Sequence, residues 1–556
     1  MPLISTVSVA LFLPCLTTAW ALYRLVKWNR CIRLVNDFPG YRGLGPGGKL
    51  WHMMLPKGLR QVFQYRYLWG LKHKSHEQMG WDVFSNVTWL IPQPVFHIAD
   101  ASIINQICGS RTLFTKPTYK ILEVYGPNLV STDGDVWLRH RKISQPAFSE
   151  SMIQLAWEQT YRVTSDMFDE WSQQGDRVTL NRTEEPMKQL TMLVIMGAGF
   201  GHIEDWTPET SHAPGHEMSF RDSMQTLLNY FIIYSALPLW VWGSAQTRMT
   251  MRVGGIGGRG WLGKLLQRTG AAYGELGRYF REMVHDRQVS GGVSNNRNKR
   301  DVFSSLVAAL DDDESNMRMT VDDVFGNMFG FLLAGHETTA HSLAFALGLL
   351  ALEPEEQDRL YAHIHEVLGD REPSFEDHGK LDRVLAVFYE ATRLFPSTPL
   401  IPKISAEDAN FLVNSALSEE DMADPARRER KDQQKRLFVP KGSSVLISVA
   451  GLHYNPRYWK DPYAFNPDRF LALDWPKDAF LAFSAGARSC IGRKFAEVEA
   501  VLALTLIVRR FKLSVDSARF QEVPGESKID RRNRLVNATT KLTLTPDGLP
   551  LVLTRR

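Results

Sequence analysis

The sequence predicts a mainly α-helical fold with minor β, carried behind an N-terminal transmembrane helix, and three observations lead there. Met1–Tyr23 has no charged side chain. The apolar pattern from Val321 to about Leu352 keeps helical periodicity for about nine turns. A single cysteine, Cys490, sits on a glycine-bounded turn just ahead of an apolar, helix-like run from Phe495 to Val508.

With 556 residues, 44% hydrophobic and 11% aromatic, the chain can bury a large core, and no composition shift marks a domain boundary. The 65 basic and 61 acidic residues leave a net charge of +4, too even to argue for nucleic acid. Four cysteines, one of them in the apolar leader at Cys15, do not make a disulfide framework, and a reducing compartment is expected.

Met1–Tyr23 is long enough to cross a bilayer, and Arg24, Lys27, Arg30 and Arg33 follow at once. Basic residues on that flank hold it in the cytosol, so the body of the protein is expected there. Ala19-Trp20-Ala21 also fits the cleavage site of a signal peptide, but a basic n-region is missing and the apolar run is long. The expected organisation is therefore an anchor over 1–26, a basic and Pro/Gly-rich hinge over 27–50 including Phe38–Gly48, and one domain over 51–556. The sequons at Asn86, Asn181 and Asn537 would matter only in a lumenal protein.

Thr88–Ile91 and Val95–Ile98 read as short strands, after which helical periodicity dominates. Within Thr132–Phe148, Trp137 and Arg141 are four apart, so one helix face carries an indole donor and a guanidinium, a pair that suits a carboxylate. Met187–Phe200 reads as a core helix ending at Gly201. Phe231–Trp242 is apolar and tryptophan-rich, either core or a second dip into the membrane interface. Gly255–Gly260 spells G-x-G-x-x-G, but no apolar strand precedes it, so a loop is expected rather than a dinucleotide site. Ser290–Arg300 and Ala406–Lys435 are charge-rich and read as solvated surface inserts.

Thr320 and Asp323 form a capping-box pattern that starts the long helix, and Pro354 halts it. Inside lies Ala334-Gly335-His336-Glu337-Thr338-Thr339. A mid-helix glycine costs about 1 kcal/mol against alanine and signals a local demand for space. A zinc site from His336, Glu337 and His341 is excluded, because histidines five apart lie about 140° around the axis and cannot converge on one ion. Further along the chain, Glu390 and Arg393 are three apart in apolar surroundings, so burial would demand a third partner, and Phe465–Phe470 can supply it.

A sulfur at a helix start sees the positive end of the macrodipole, which favours thiolate, a metal ligand. Gly486 and Gly492 permit positive φ and leave room for a flat group, and Arg488 offers it a cation. The full stretch from Phe483 to Gly492, F-x-x-G-x-R-x-C-x-G, resembles the haem-binding loop of the cytochrome P450 family. That resemblance covers about residues 38–556 and implies the P450 fold, with haem b held by Cys490 as axial iron ligand and by Phe483, Gly486 and Arg488 beside it. It also implies that Trp137 and Arg141 hold a haem propionate, with Lys403 a further candidate. Gly335, Glu337 and Thr338 match the family's oxygen-activation motif, which makes Thr338 a hydrogen-bonding hydroxyl and Glu337 a proton relay and sets Gly335 against the cofactor. Glu390, Arg393 and Arg469 resemble the family's structural brace, with Asp468 where a glutamate is more frequent.

The function so implied is a haem-thiolate monooxygenase that inserts one atom of O2 into a C–H bond of a hydrophobic small molecule. No flavin or nicotinamide motif is present, so electrons are expected from NADPH through a separate flavoprotein reductase, with cytochrome b5 as a second donor. Substrate contacts are expected from Tyr119–Ser131, Phe325–Ala334, Ser397–Ile401 and Asn537–Leu544. The wording around the central helix resembles fungal members of secondary metabolism, which implies a terpenoid. The expected place is the endoplasmic reticulum membrane, crossed once. The alternatives are a haem-thiolate isomerase or dehydratase of oxygenated lipids, against which the Glu337–Thr338 pair speaks, and a non-catalytic membrane sterol- or haem-binding protein.

Overall fold

The computed structural model describes residues 6–35, 38–43, 68–207, 215–231, 261–289, 301–310 and 317–556. The chain divides into two compact units, Met1–Pro117 with Ala386–Cys490 and Val523–Asp547, and Thr118–Leu385 with Ile491–Glu522 and Gly548–Arg556. Over the described residues the chain is mainly α with minor β, and most of the strands lie in the first unit.

The first unit is built on a six-stranded mixed sheet in the order Gly40–Gly43, Val83–Thr88, Val95–Ile98, Ser444–Ser448, Leu400–Ser405, Phe114–Thr115. Val83–Thr88 is buried along its whole length, and Phe84 pairs with His97 across the antiparallel neighbour. This strand was expected at Thr88–Ile91 and instead ends at Thr88. Pro92 has no N–H to offer a ladder, and the Leu90 carbonyl accepts from Arg24 Nη1 at 3.0 Å. The donor belongs to the helix Thr6–Leu34, on which Trp28 Nε1 also donates to Val87 O at 3.2 Å and Trp20 meets Trp89 edge-on at 5.4 Å. Arg24, Lys27, Arg30 and Arg33 all lie on that helix. Among the described residues no helix is long and apolar enough to cross a membrane.

Ala406–Lys435, expected as a solvated insert, is ordered. Ala409–Asn414 and Gln434–Val439 form an antiparallel hairpin enclosing two short capped helices, Glu419–Ala423 and Pro425–Lys431. Its charge-rich stretch 425–436 is exposed, as expected, and some of those charges also make contacts. Asp432 takes two hydrogen bonds from Arg457, and Lys435 lies over the rings of Phe38 and Trp81 at 5.3 and 5.8 Å.

The second unit packs Glu150–Ser172, Glu184–Phe200, Val321–Leu352 and Arg493–Arg510 together, with an antiparallel sheet of Phe511–Val515, Leu551–Arg555 and Arg177–Leu180. Val321–Leu352 starts at the expected capping box, in which Thr320 and Asp323 satisfy each other's backbone N–H, and ends before Pro354. Its 32 residues span about 48 Å. Glu184–Phe200 starts three residues earlier than its apolar pattern, because Glu184 and Glu185 complement the positive helix end, and it closes on Gly201 at φ +67°. Residues 232–242, Gly255–Gly260, Ser290–Arg300 and the hinge residues 44–48 lie outside the described residues.

Candidate functional site

The cysteine loop belongs to the first unit. Phe483 leads into it, Cys490 N–H donates back to Phe483 O at 2.9 Å, and the thiol at the end of the turn is exposed. Two left-handed residues, Ser484 at φ +59° and Gly486 at +66°, shape the turn. A Cβ on Gly486 would lie 2.1 Å from the Cys108 carbonyl oxygen, so only glycine fits where the loop presses on the helix Ala101–Gly109. Gly486–Arg488 forms one 3₁₀ turn and sets Arg488 half-buried two residues before the sulfur. Gly492 then caps Arg493–Arg510, although at φ −90° it does not use the positive φ that the sequence allowed it.

The loop is supported from below. Glu390 and Arg393 are fully buried and joined by two bonds, Nε to Oε2 at 2.6 Å and Nη2 to Oε1 at 2.8 Å. The stretch Phe465–Phe470, expected to complete Arg393, meets Glu390 instead. The remaining donors of Arg393 go to the backbone carbonyls of His453, Pro462 and Ala464, so all five are used. Arg469 completes Glu390, donating from Nε at 3.1 Å beside Asn466 N–H at 2.9 Å. The brace reaches the loop through a residue that sequence reasoning missed. His453 Nδ1 is 2.9 Å from Arg393 O, and its Nε2 accepts from Leu481 N–H at 2.8 Å, two residues before Phe483. That geometry fixes a neutral ring with its proton on Nδ1, and burial holds its pKa down to about 3. Lys403 lies buried on the strand Leu400–Ser405.

The second unit carries the remaining candidates. Between Asp323 and Ala351 the helix Val321–Leu352 is buried except at Ala334, Gly335, Glu337 and Thr338, which open a window in mid-helix. Gly335 is there because Glu184–Phe200 packs against it, and a Cβ would sit 3.1 Å from Ile195 Cγ1. Thr191, from the same neighbouring helix, donates to His336 O at 2.9 Å. His336 turns inward with Nδ1 3.1 Å from Leu332 O, and burial lowers its pKa to about 4, so the ring is neutral. Thr338 Oγ1 donates to Ala334 O at 2.8 Å, four residues back. Trp137 and Arg141 share a face of Gly134–Ser144, the indole buried and the guanidinium half-buried with Nε 3.1 Å from Gln145 Oε1.

These residues fit a haem. In the first unit the exposed Cys490 thiol, on a turn that Gly486 fixes against Cys108, is a ligand atom for iron; in the second unit the mid-helix window carries small and hydroxylic side chains where the helix around it is closed.

The family model for cytochrome P450 matches residues 259–412 and 432–539, leaving out the middle of the ordered hairpin. Cytochrome P450 monooxygenase 124 of Postia placenta is 37% identical over 541 residues, covering 96% of this chain and 97% of its own. A cytochrome P450 monooxygenase of Arthrobotrys oligospora is 28% identical, covering 83% and 81%, and human cytochrome P450 4X1 is 26% identical, covering 77% and 79%. The chain therefore belongs to the cytochrome P450 family, as an oxidoreductase of the monooxygenase type.

Proposed function

We propose that this monooxygenase inserts one oxygen atom into an unactivated C–H bond of a hydrophobic small molecule, a terpenoid being the first candidate, while the other atom leaves as water. Electrons come from NADPH through a separate flavoprotein reductase, with cytochrome b5 as a second donor. The observation that carries the reading is the exposed Cys490 thiol on a turn closed to side chains at Gly486.

Cys490 Sγ would bind the iron of haem b, Phe483 and Gly486 would line its face, and Arg488, Trp137 and Arg141 would hold its carboxylates by charge-assisted bonds. When bound, the haem supplies redox-active iron and dioxygen activation. Thr338 Oγ1 would exchange its bond to Ala334 O for one to dioxygen, and Glu337 would pass protons towards that hydroxyl through water. Gly335, expected against the cofactor, serves the packing of Glu184–Phe200 behind the window, because its missing Cβ faces Ile195. Glu390, Arg393 and Arg469 hold the loop in shape and take no part in proton transfer.

The leader 1–26 is read as a single-pass anchor in the endoplasmic reticulum membrane, with 27–50 as the connecting stretch and 51–556 on the cytosolic side. Its uncharged first 23 residues and the basic residues after them support that placement. Exposed Asn181 then stays unglycosylated in cells, and a glycan there refutes the topology.

The decisive experiment is expression with a reductase. Reduced protein under carbon monoxide should give the thiolate-type Soret band, Cys490→Ala should lose it, and product from a terpenoid panel should require both NADPH and oxygen. A nitrogen-ligated spectrum in the wild type, or product without NADPH, overturns the proposal.

A further inference from the structure

Three elements of the second unit meet at one buried amide. Asn327, 1% exposed on the first turns of Val321–Leu352, accepts from Leu129 N–H at Oδ1, 2.9 Å away. Its Nδ2 donates to Asp323 O at 2.7 Å and lies 3.1 Å from His140 Nδ1. The proton assignments are forced. Leu129 N–H is a donor, so the atom facing it is the amide oxygen. The amide nitrogen only donates, so His140 Nδ1 must accept and the neutral ring carries its proton on Nε2. Nε2 in turn faces Asp323 Oδ1 at 3.3 Å, and the same carboxylate takes Arg139 Nη2 at 3.2 Å and Thr320 N–H at 3.0 Å.

Backbone shape agrees. A Cβ on Gly326 would lie 2.4 Å from Pro127 O and 2.5 Å from Gly126 O, and one on Gly126 would lie 2.2 Å from Asp322 O. Segment and helix touch main chain to main chain. Asn128 stiffens the segment from within, taking Val130 and Ser131 N–H on Oδ1 and giving Nδ2 to Leu122 O. Tyr125 stacks on Tyr273 at 4.7 Å and donates to its carbonyl.

We propose that Asn327 is a positioning residue for ligand selection, its one amide holding Tyr119–Ser131 in register with the helix of Trp137 and Arg141 and with the helix of Glu337 and Thr338. This rests on the proposed function, in which Tyr119–Ser131 lines the substrate and Trp137 and Arg141 hold the cofactor. A segment pinned by side chain and backbone together is a fixed wall, so shape rather than adaptation decides which ligand enters.

The test compares full-length haem protein with Asn327→Leu, which removes both arms at similar volume, and Asn327→Ser, which cannot reach Leu129 but can still bond Asp323 O. Deuterium uptake is followed in the peptide 122–132 and, as reference, in Leu551–Arg555. Optical titration with imidazole and 4-phenylimidazole measures discrimination between a small and a bulky ligand. Both variants should speed uptake in 122–132 at least tenfold with the reference unchanged, and should reduce the ratio of the two dissociation constants at least fivefold. Unchanged uptake, uptake rising equally in the reference, or an unchanged ratio overturns the proposal. So does failure of both variants to fold, since Asn327 would then serve the core and not selection. A wild type that binds no haem defeats the proposed function instead, while the uptake measurement still reports on the junction.

Discussion

Two glutamates, each fully buried on a helix, are treated in opposite ways. Glu390 in the first unit meets Arg393, Arg469 and the Asn466 amide. Glu499, in the second unit on the helix after the cysteine loop, has no hydrogen-bond partner for either carboxyl oxygen among the described residues, and burial pushes its pKa well up. The first is a charge made tolerable by an apparatus of donors. The second has no such donors among the described residues, and its burial disfavours the charged form. Burial alone therefore does not say what a carboxylate is doing; the donors around it do.

The sharpest way to break the contrast is Arg393→Ala, which leaves Glu390 buried without its main partner. We expect a loss of about 3–5 kcal/mol, seen as failure to accumulate folded haem protein or as a large fall in Tm. Glu499→Gln should act oppositely. A carboxyl whose folded pKa lies above its unfolded value near 4.3 stabilises the fold below that value and loses that contribution as pH rises through the folded pKa. The variant should match the wild type at pH 4 and exceed it at pH 7 by on the order of 1–3 kcal/mol in denaturant unfolding.

The buried histidines give the reverse slope. His73, His97 and His453 have pKa values of about 3, each lowered first by burial. Their contribution is complete above the unfolded value near 6.5 and is lost as pH falls. Stability should therefore decline from pH 6.5 to 4 in both the wild type and Glu499→Gln, and more steeply in the variant. The smallest effect on stability belongs to Thr338→Ala, which removes the bond back to Ala334 O. We expect a change within about 0.5 kcal/mol, but a marked fall in product formed per NADPH consumed. If coupling is unchanged, the proton route through Thr338 is wrong.

What could be read in the sequence was local. The capping box at Thr320 and Asp323, the stop at Pro354 and the glycine cap at Gly201 are short-range patterns, and the helices carry them as expected. The pairing of Glu390 with Arg393 was legible from spacing, as was the turn at Gly486. The parts that were not legible depend on residues far apart in the chain. Nothing near Arg393 says that the carbonyls of Pro462 and Ala464 will take its donors, nor that His453 will pass the support on to Leu481. Asn327 gave no signal, because an asparagine in an apolar helix gains meaning only once Leu129 and His140 are beside it. The insert's exposure was legible in its charges, but the pairing of Ala409–Asn414 with Gln434–Val439 was not, since it joins residues some 20 or more apart.

The joint between Thr6–Leu34 and the sheet bears on how the protein is best shortened. Arg24 and Trp28 cover the Leu90 and Val87 carbonyls, and Cys31, Val35 and Phe38 are buried behind them. A soluble form cut after Leu34 would strip that cover and leave a sticky, partly unsatisfied flank, whereas one beginning at Arg24 would discard the uncharged leader and keep the lid in place.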